Sequence, residues 1–151
     1  MRATQEPEPR SRVAERMQPV RGTISAFATA ESARRRLEQE TLRFLVVVAP
    51  GTGRLVGAVD RDTLAAKACC ERLAGRCTVV QHLAPDVGFC FDHEWAREVA
   101  EDEAELAAEG SVPAARRIPL LVVDDQMKPL GCFPLISAAR DAAPAATARA
   151  A

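Results

Sequence analysis

The chain has 151 residues, 48% of them apolar, and a net charge of −1. That length suits one ordinary domain or two small units sharing a core, and it buries enough surface to fold without a metal or disulfide staple. No run approaches the roughly 20 apolar residues of a membrane helix, and the balanced charge argues against binding to nucleic acid, which calls for a basic excess.

The segment Met1–Arg16 is charged and carries prolines, with no apolar stretch of the kind a secretory signal needs. A cytoplasmic protein is the expectation. With one Trp, no Tyr and five Phe, the core must be built mainly from Val, Leu and Ala. Charge is unevenly divided: residues 1–76 hold 14 basic and 9 acidic side chains, residues 77–151 hold 6 and 12. Such halves suit head-to-tail pairing with a second copy. Cys69, Cys70, Cys77, Cys90 and Cys132 form an odd set without CxxC spacing, and neither His82 nor His93 completes a cluster, so buried reduced thiols are expected and no metal site.

In chain order, the sequence repeats itself. Val13-Ala-Glu-Arg-Met17-Gln-Pro19 matches Val79-Val-Gln-His-Leu83-Ala-Pro85 at an offset of 66, which also holds for Pro19–Gly22 against Pro85–Gly88. A short apolar segment follows in each copy, Thr23–Phe27 and Phe89–Phe91, and then a helical stretch. Next come the apolar runs Phe44–Ala49 and Ile118–Val123, which read as strands buried on both faces. Turns at Pro50–Gly53 and Asp124–Lys128 lead to second strands at Arg54–Val59 and Pro129–Phe133. Closing helices are expected at about Arg61–Cys70 and Leu135–Asp141. Gly57 and Gly131 lie 74 apart, so the second copy carries a net insertion of about eight residues.

The insertion falls in a helix expected to begin near Asp92. It places Trp95, Val99 and Leu106 on one face beside Ala96, Ala100 and Ala107, with Glu94, Glu98, Glu101, Glu105 and Glu109 down the other. That acidic stripe reads as a solvated face, with docking of a basic partner as the sharper alternative. The divisions implied are a disordered tail at 1–12, a first repeat at 13–76, a second at 77–141 with the acidic insertion, and a disordered Ala-rich tail at 142–151.

Strand, helix, strand, strand, helix, given twice, resembles a tandem pair of CBS domains (a Bateman module). The likeness rests on Val13–Pro19 as the lead-in, on Ala28–Ala33 with Thr29 as helix cap, on Gly53–Leu64 as hairpin strand and closing helix, and on Ile118–Asp124 with Pro129–Gly131. It implies an α/β fold of two β-α-β-β-α repeats packed about a pseudo-twofold axis, with clefts that hold adenosine-containing ligands. It also implies a non-catalytic regulator, commonly a homodimer, acting here on a separate effector enzyme or transporter. No cofactor is required; AMP, ADP, ATP or S-adenosylmethionine is the regulatory ligand implied.

The family motif is Gly, two apolar residues, Ser/Thr, two variable positions and Asp. Here Asp60 and Thr63 stand in those two polar positions after Gly57, and Pro134 and Ser137 after Gly131. On the resemblance, Thr23 and Ile24 border the base, Asp60 or Thr63 the ribose, and Arg61 the phosphates. Asp60 has a second reading as a helix N-cap. The alternative function is a degenerate pair kept for dimerisation or protein interaction without nucleotide. Catalysis is not expected: Gly51-Thr-Gly53 is a hairpin turn, Asp92-His93-Glu94 a helix start, and Cys69-Cys70 sit among apolar neighbours that quiet a thiol.

Overall fold

Two short βαβ units, each with an added hairpin strand, form the framework. The computed structural model describes residues 10–65, 72–73, 76–113 and 116–134. In chain order these give α1 (Val13–Arg16), β1 (Gln18–Pro19), β2 (Thr23–Ser25), α2 (Ala30–Gln39), β3 (Phe44–Val48) and β4 (Leu55–Asp60). A 3₁₀ turn follows at Val79–His82, then β5 (Phe89–Phe91), α3 (Ala96–Ala108), β6 (Leu120–Val123) and β7 (Pro129–Phe133). The expected closing helices fall largely outside the described residues. So do Cys69, Cys70 and both terminal tails apart from Arg10, Ser11 and Arg12.

β2 runs parallel to β3, as a helical crossover requires, and β3 pairs antiparallel with β4. The second unit repeats this with β5, β6 and β7, and adds β1 antiparallel to β7. The runs read as doubly buried strands are that. Leu45 and Val47 enter one core with Ala33, Leu37 and Val59, while Val46 turns to the opposite face. Likewise Leu120 and Val122 face a second core, and Leu121 faces away. Val46, Ala58, Ile118, Leu121 and Cys132 meet in a third cluster, where the two sheets face each other.

Local chemistry sets the ends. Thr29 Oγ1 accepts the Ser32 amide at 3.1 Å and caps α2. Gly51 and Gly53 turn the first hairpin with φ of +90° and +75°. In the second, Asp124 Oδ1 accepts the amides of Gln126 and Lys128.

α3 begins at Ala96, not near Asp92. The Glu94 carboxylate accepts the Phe91 amide, the Glu94 amide donates to the Phe91 carbonyl, and the Glu94 carbonyl accepts from Val13, so this segment is a turn held by other partners. Of the apolar face expected for this helix, Ala96 and Val99 are buried, whereas Leu106 is exposed. Only the first turns of α3 cover the core. Glu98, Glu101, Glu105 and Glu109 are solvent-exposed, as the plainer reading had it.

The lead-in segments are exchanged. Val13 is fully buried in the core of the second unit, and Val79 in that of the first. The bonds that fix them are equivalent pair by pair: Val13 N–H to Glu94 O against Val79 N–H to Ala28 O, and Ala96 N–H to Ser11 O against Ala30 N–H to Cys77 O. All four residues in each match are 66 apart. Isolated bridges Arg12–Trp95 and Thr29–Thr78 keep the same relation. Each half thus holds the other's first segment about a pseudo-twofold axis.

Candidate functional site

β4 ends at Asp60, where the chain turns. The Asp60 amide donates to Thr63 Oγ1 at 3.0 Å, and the Thr63 amide donates back to Asp60 Oδ1 at 2.9 Å. The Thr63 hydroxyl donates in turn to the Asp60 carbonyl at 3.1 Å. This is a reciprocal cap of the capping-box kind with the two residue types exchanged, and both side chains are buried. His82 lies beneath it, with Nδ1 3.1 Å from the Thr63 carbonyl and Nε2 3.1 Å from Cys77 Sγ. The lead-in of the second repeat is thereby tied to the end of β4; the Ala84 amide also donates to Ala58 O.

The remaining oxygen of Asp60 points toward the second repeat. Arg117 Nε is 3.4 Å from Asp60 Oδ2, and its NH1 donates to Asp62 Oδ2 at 2.6 Å. Arg116, beside it, is nine-tenths buried; its guanidinium pairs with Glu103 of α3 and donates to the Asp86 carbonyl. Beside the two arginines lies a cavity of about 280 Å³ lined by Ala84, Pro85, Asp86, Val87, Pro113, Arg116, Arg117 and Ile118. Its wall is mostly apolar, with the two arginines and Asp86 as its charged members.

The residues expected at a site divide in two. Asp60 and Thr63 are joined to each other, and Asp60 reaches the cavity through Arg117. Arg61 is exposed on the same turn and does not line the cavity. Thr23 and Ile24 lie on β2, across β3 from Asp60; Ile24 is part of the first core, Thr23 is exposed, and the Thr23 carbonyl accepts from Arg36. In the second repeat Pro134 is half-buried, and Ser137 lies outside the described residues. The cavity wall itself was not singled out by sequence. Its signal is the pair Arg116-Arg117 directly before a doubly buried strand, across from the second repeat's Pro85.

Two of the described thiols, Cys90 and Cys132, offer little reactivity. Burial, with Glu94 and Glu103 adding to it, pushes Cys90 up to about 12, and burial also raises Cys132. Among the described residues no group of three His, Cys, Asp or Glu side chains is placed to hold a metal ion. No helix among them is long and apolar enough to cross a membrane.

No protein-family model matches the sequence, and no curated protein matches it. Solved structures do share the fold. The structure of CBSX2 in complex with AMP is 21% identical with a TM-score of 0.61, covering 88% of this chain and 98% of its own; CBSX2 is a CBS-pair protein of Arabidopsis thaliana. A CBS domain pair/ACT domain protein from Thermotoga maritima is 18% identical with a TM-score of 0.60, over 89% and 100% of the two chains. The CBS domain pair of MJ0100, in complex with 5′-methylthioadenosine and S-adenosyl-L-methionine, is 17% identical with a TM-score of 0.60, over 90% and 100%.

Proposed function

This chain is a tandem CBS pair by fold, and we propose that it works as a non-catalytic regulatory module. In this reading it binds an adenosine-containing ligand and signals to a separate effector protein. The observation that carries it is the cavity between Ala84–Val87 and Arg116–Ile118, one of whose lining residues, Arg117, pairs with Asp60 and Asp62 at the end of the first repeat. An apolar slot with few polar groups at its edge is the ordinary form of a small-molecule site. Ala84, Val87 and Ile118 give a purine an apolar wall, and Asp86 gives that wall a carboxylate acceptor for a ribose diol. Solved structures of this fold, 17–21% identical, hold AMP in one case and 5′-methylthioadenosine with S-adenosylmethionine in another, which supports the class of ligand.

Signalling follows from where the cavity sits. Its lining belongs to the second repeat, and Arg117 of that lining is paired with Asp60 and Asp62 of the first. A ligand that engages Arg117 competes with those pairs and so biases the relative position of the repeats, and a partner that reads that surface senses occupancy.

One observation favours a second reading, a pair kept for assembly alone. Asp60 and Thr63 spend most of their bonding capacity on each other, and Arg117 takes the rest of Asp60. A thermal-shift screen with AMP, ADP, ATP, S-adenosylmethionine and NAD separates the two. A ligand at about 100 times its Kd adds roughly 2.7 kcal/mol, which moves Tm by several degrees in a domain of this size. A shift from any adenosyl compound supports the regulatory reading; a folded protein that shifts with none of them leaves the assembly reading.

A further inference from the structure

The two units fill one equivalent spot with opposite chemistry. In the first, Leu37 on the last turn of α2 is buried in the core, and Leu42 packs against that core. The offset of 66 that matches the repeats sets Glu103 of α3 where Leu37 stands. The matched glycines identify the other member. A Cβ on Gly22 would meet Leu42 and Leu45; a Cβ on Gly88 would meet Leu120, the counterpart of Leu45, and the Arg116 guanidinium. An apolar pair in the first unit is thus an ion pair in the second, Arg116 with Glu103, both side chains largely buried.

Stability does not call for that exchange. A buried ion pair is often matched or bettered by apolar side chains of similar size, and the first unit holds the same fold with leucines. What the pair adds is a dependence of α3 on the cavity. Arg116 lines the cavity and is bonded to the carbonyl of Asp86 in the same wall. At the other end, Ala96 and Val99 are the α3 members of the second core, and from Ala104 to Ala108 only Ala107 is even half-buried. Among the described residues, Glu103 carries the side-chain bond that ties this outer half of the helix to the rest of the fold.

We propose that the Arg116–Glu103 pair couples the cavity to α3: an anionic group bound beside Arg116 takes it from Glu103, and the outer half of the helix is released. This rests on the regulatory reading above and supplies its route from ligand to surface. Glu103 without its cation is a charge held out of water, which is costly. The helix relieves that cost by swinging Glu103 into solvent. Glu105, Leu106 and Glu109 move with it, so the surface offered to an effector changes with occupancy.

Hydrogen–deuterium exchange of the full chain, followed over residues 101–110, tests this, with binding checked by thermal shift. Without ligand, Glu103→Gln should raise exchange there at least about tenfold over the native chain. AMP should raise it in the native chain in the same direction. Adenosine, which brings no anionic group, should bind without that rise. Glu103→Leu with Arg116→Leu, which copies Leu37 and Leu42, should fold and keep α3 protected whether AMP is present or not. AMP that stabilises the native chain yet leaves α3 exchange unchanged overturns the coupling and leaves the regulatory reading standing. So does adenosine that loosens α3 as much as AMP, or Glu103→Gln that exchanges like the native chain. Failure of both compounds to bind overturns the regulatory reading for this cavity and the coupling with it.

Discussion

The Asp60–Thr63 turn closes three hydrogen bonds over one buried step of chain, and the Thr63 hydroxyl is in two of them. Thr63→Val keeps the shape and deletes that hydroxyl, so the Asp60 amide is left without its side-chain acceptor. An unsatisfied buried donor costs about 1–3 kcal/mol, and in a chain of this length each kcal/mol lowers Tm by about 2–4 °C. Asp60→Ala removes the cap instead, at about 1 kcal/mol, and also leaves Arg117 paired with Asp62 alone. Asp60→Asn keeps an oxygen for the Thr63 amide and should be milder than either. Thermal denaturation of the three variants ranks them; Asn as harmful as Ala would show that the Arg117 pair, not the cap, holds the turn. Cys90 gives a prediction in pH. Its thiol is raised from 9.0 to about 12 in the fold, so the unfolded chain ionises first as pH rises. The contribution is full below pH about 9 and is lost between about 9 and 12. Cys90→Ser, which does not titrate there, should flatten part of the alkaline fall in stability, read by urea denaturation from pH 8 to 11.

At the scale of elements, the exchange of lead-ins explains why each second hairpin strand carries a glycine. A Cβ on Gly131 would stand 2.4 Å from the Gln18 carbonyl, backbone that cannot retreat without breaking the β1–β7 pairing. At the matching Gly57 it would meet only the Leu83 side chain, 3.1 Å away. Gly131→Ala should therefore cost about 1–3 kcal/mol and Gly57→Ala clearly less, by chemical denaturation; equal losses would mean that β1 is dispensable. Val13→Ala, by opening a cavity in the core of the second unit, should cost about 2 kcal/mol. Much of this fold was legible: the spacing Val, Met or Leu, Pro marked both lead-ins, and the runs at 44 and 118 marked strands buried on two faces. The exchange was not, because the same two valines and the same offset serve whether each lead-in packs on its own half or the other. Leu106 was misplaced for a related reason. Helical periodicity names a face, and only tertiary packing decides how many turns of it find a surface to cover. At the site, Asp60 and Thr63 stood out by motif, whereas Ala84, Val87 and Arg117 come together only once the second lead-in lies against β4.

The whole molecule carries its charge in two blocks, and the fold leaves much of both in solvent. Glu98, Glu101, Asp102, Glu105 and Glu109 are exposed along α3, while Arg21, Arg35, Arg43, Arg54 and Arg61 are exposed on the first repeat. A homodimer that sets one repeat's arginines against the partner's acidic helix is the association this pattern favours. Each contact is an exposed pair worth less than about 1 kcal/mol, so the dimer must also bury apolar surface to be stable; Phe27, 73% exposed, and Leu106, 40% exposed, are available for that. The two contributions answer differently to salt. Screening shortens from about 10 Å at 0.1 M to about 3 Å at 1 M, which weakens exposed charge pairs, whereas burial of apolar side chains is not weakened. Sedimentation equilibrium at about 0.1 M and 1 M sodium chloride should show a dimer that loosens with salt, and Glu101→Lys with Glu105→Lys should loosen it further at the lower concentration. A dimer indifferent to both changes would be held by apolar faces alone, and the division of charge would then act on a partner other than a second copy.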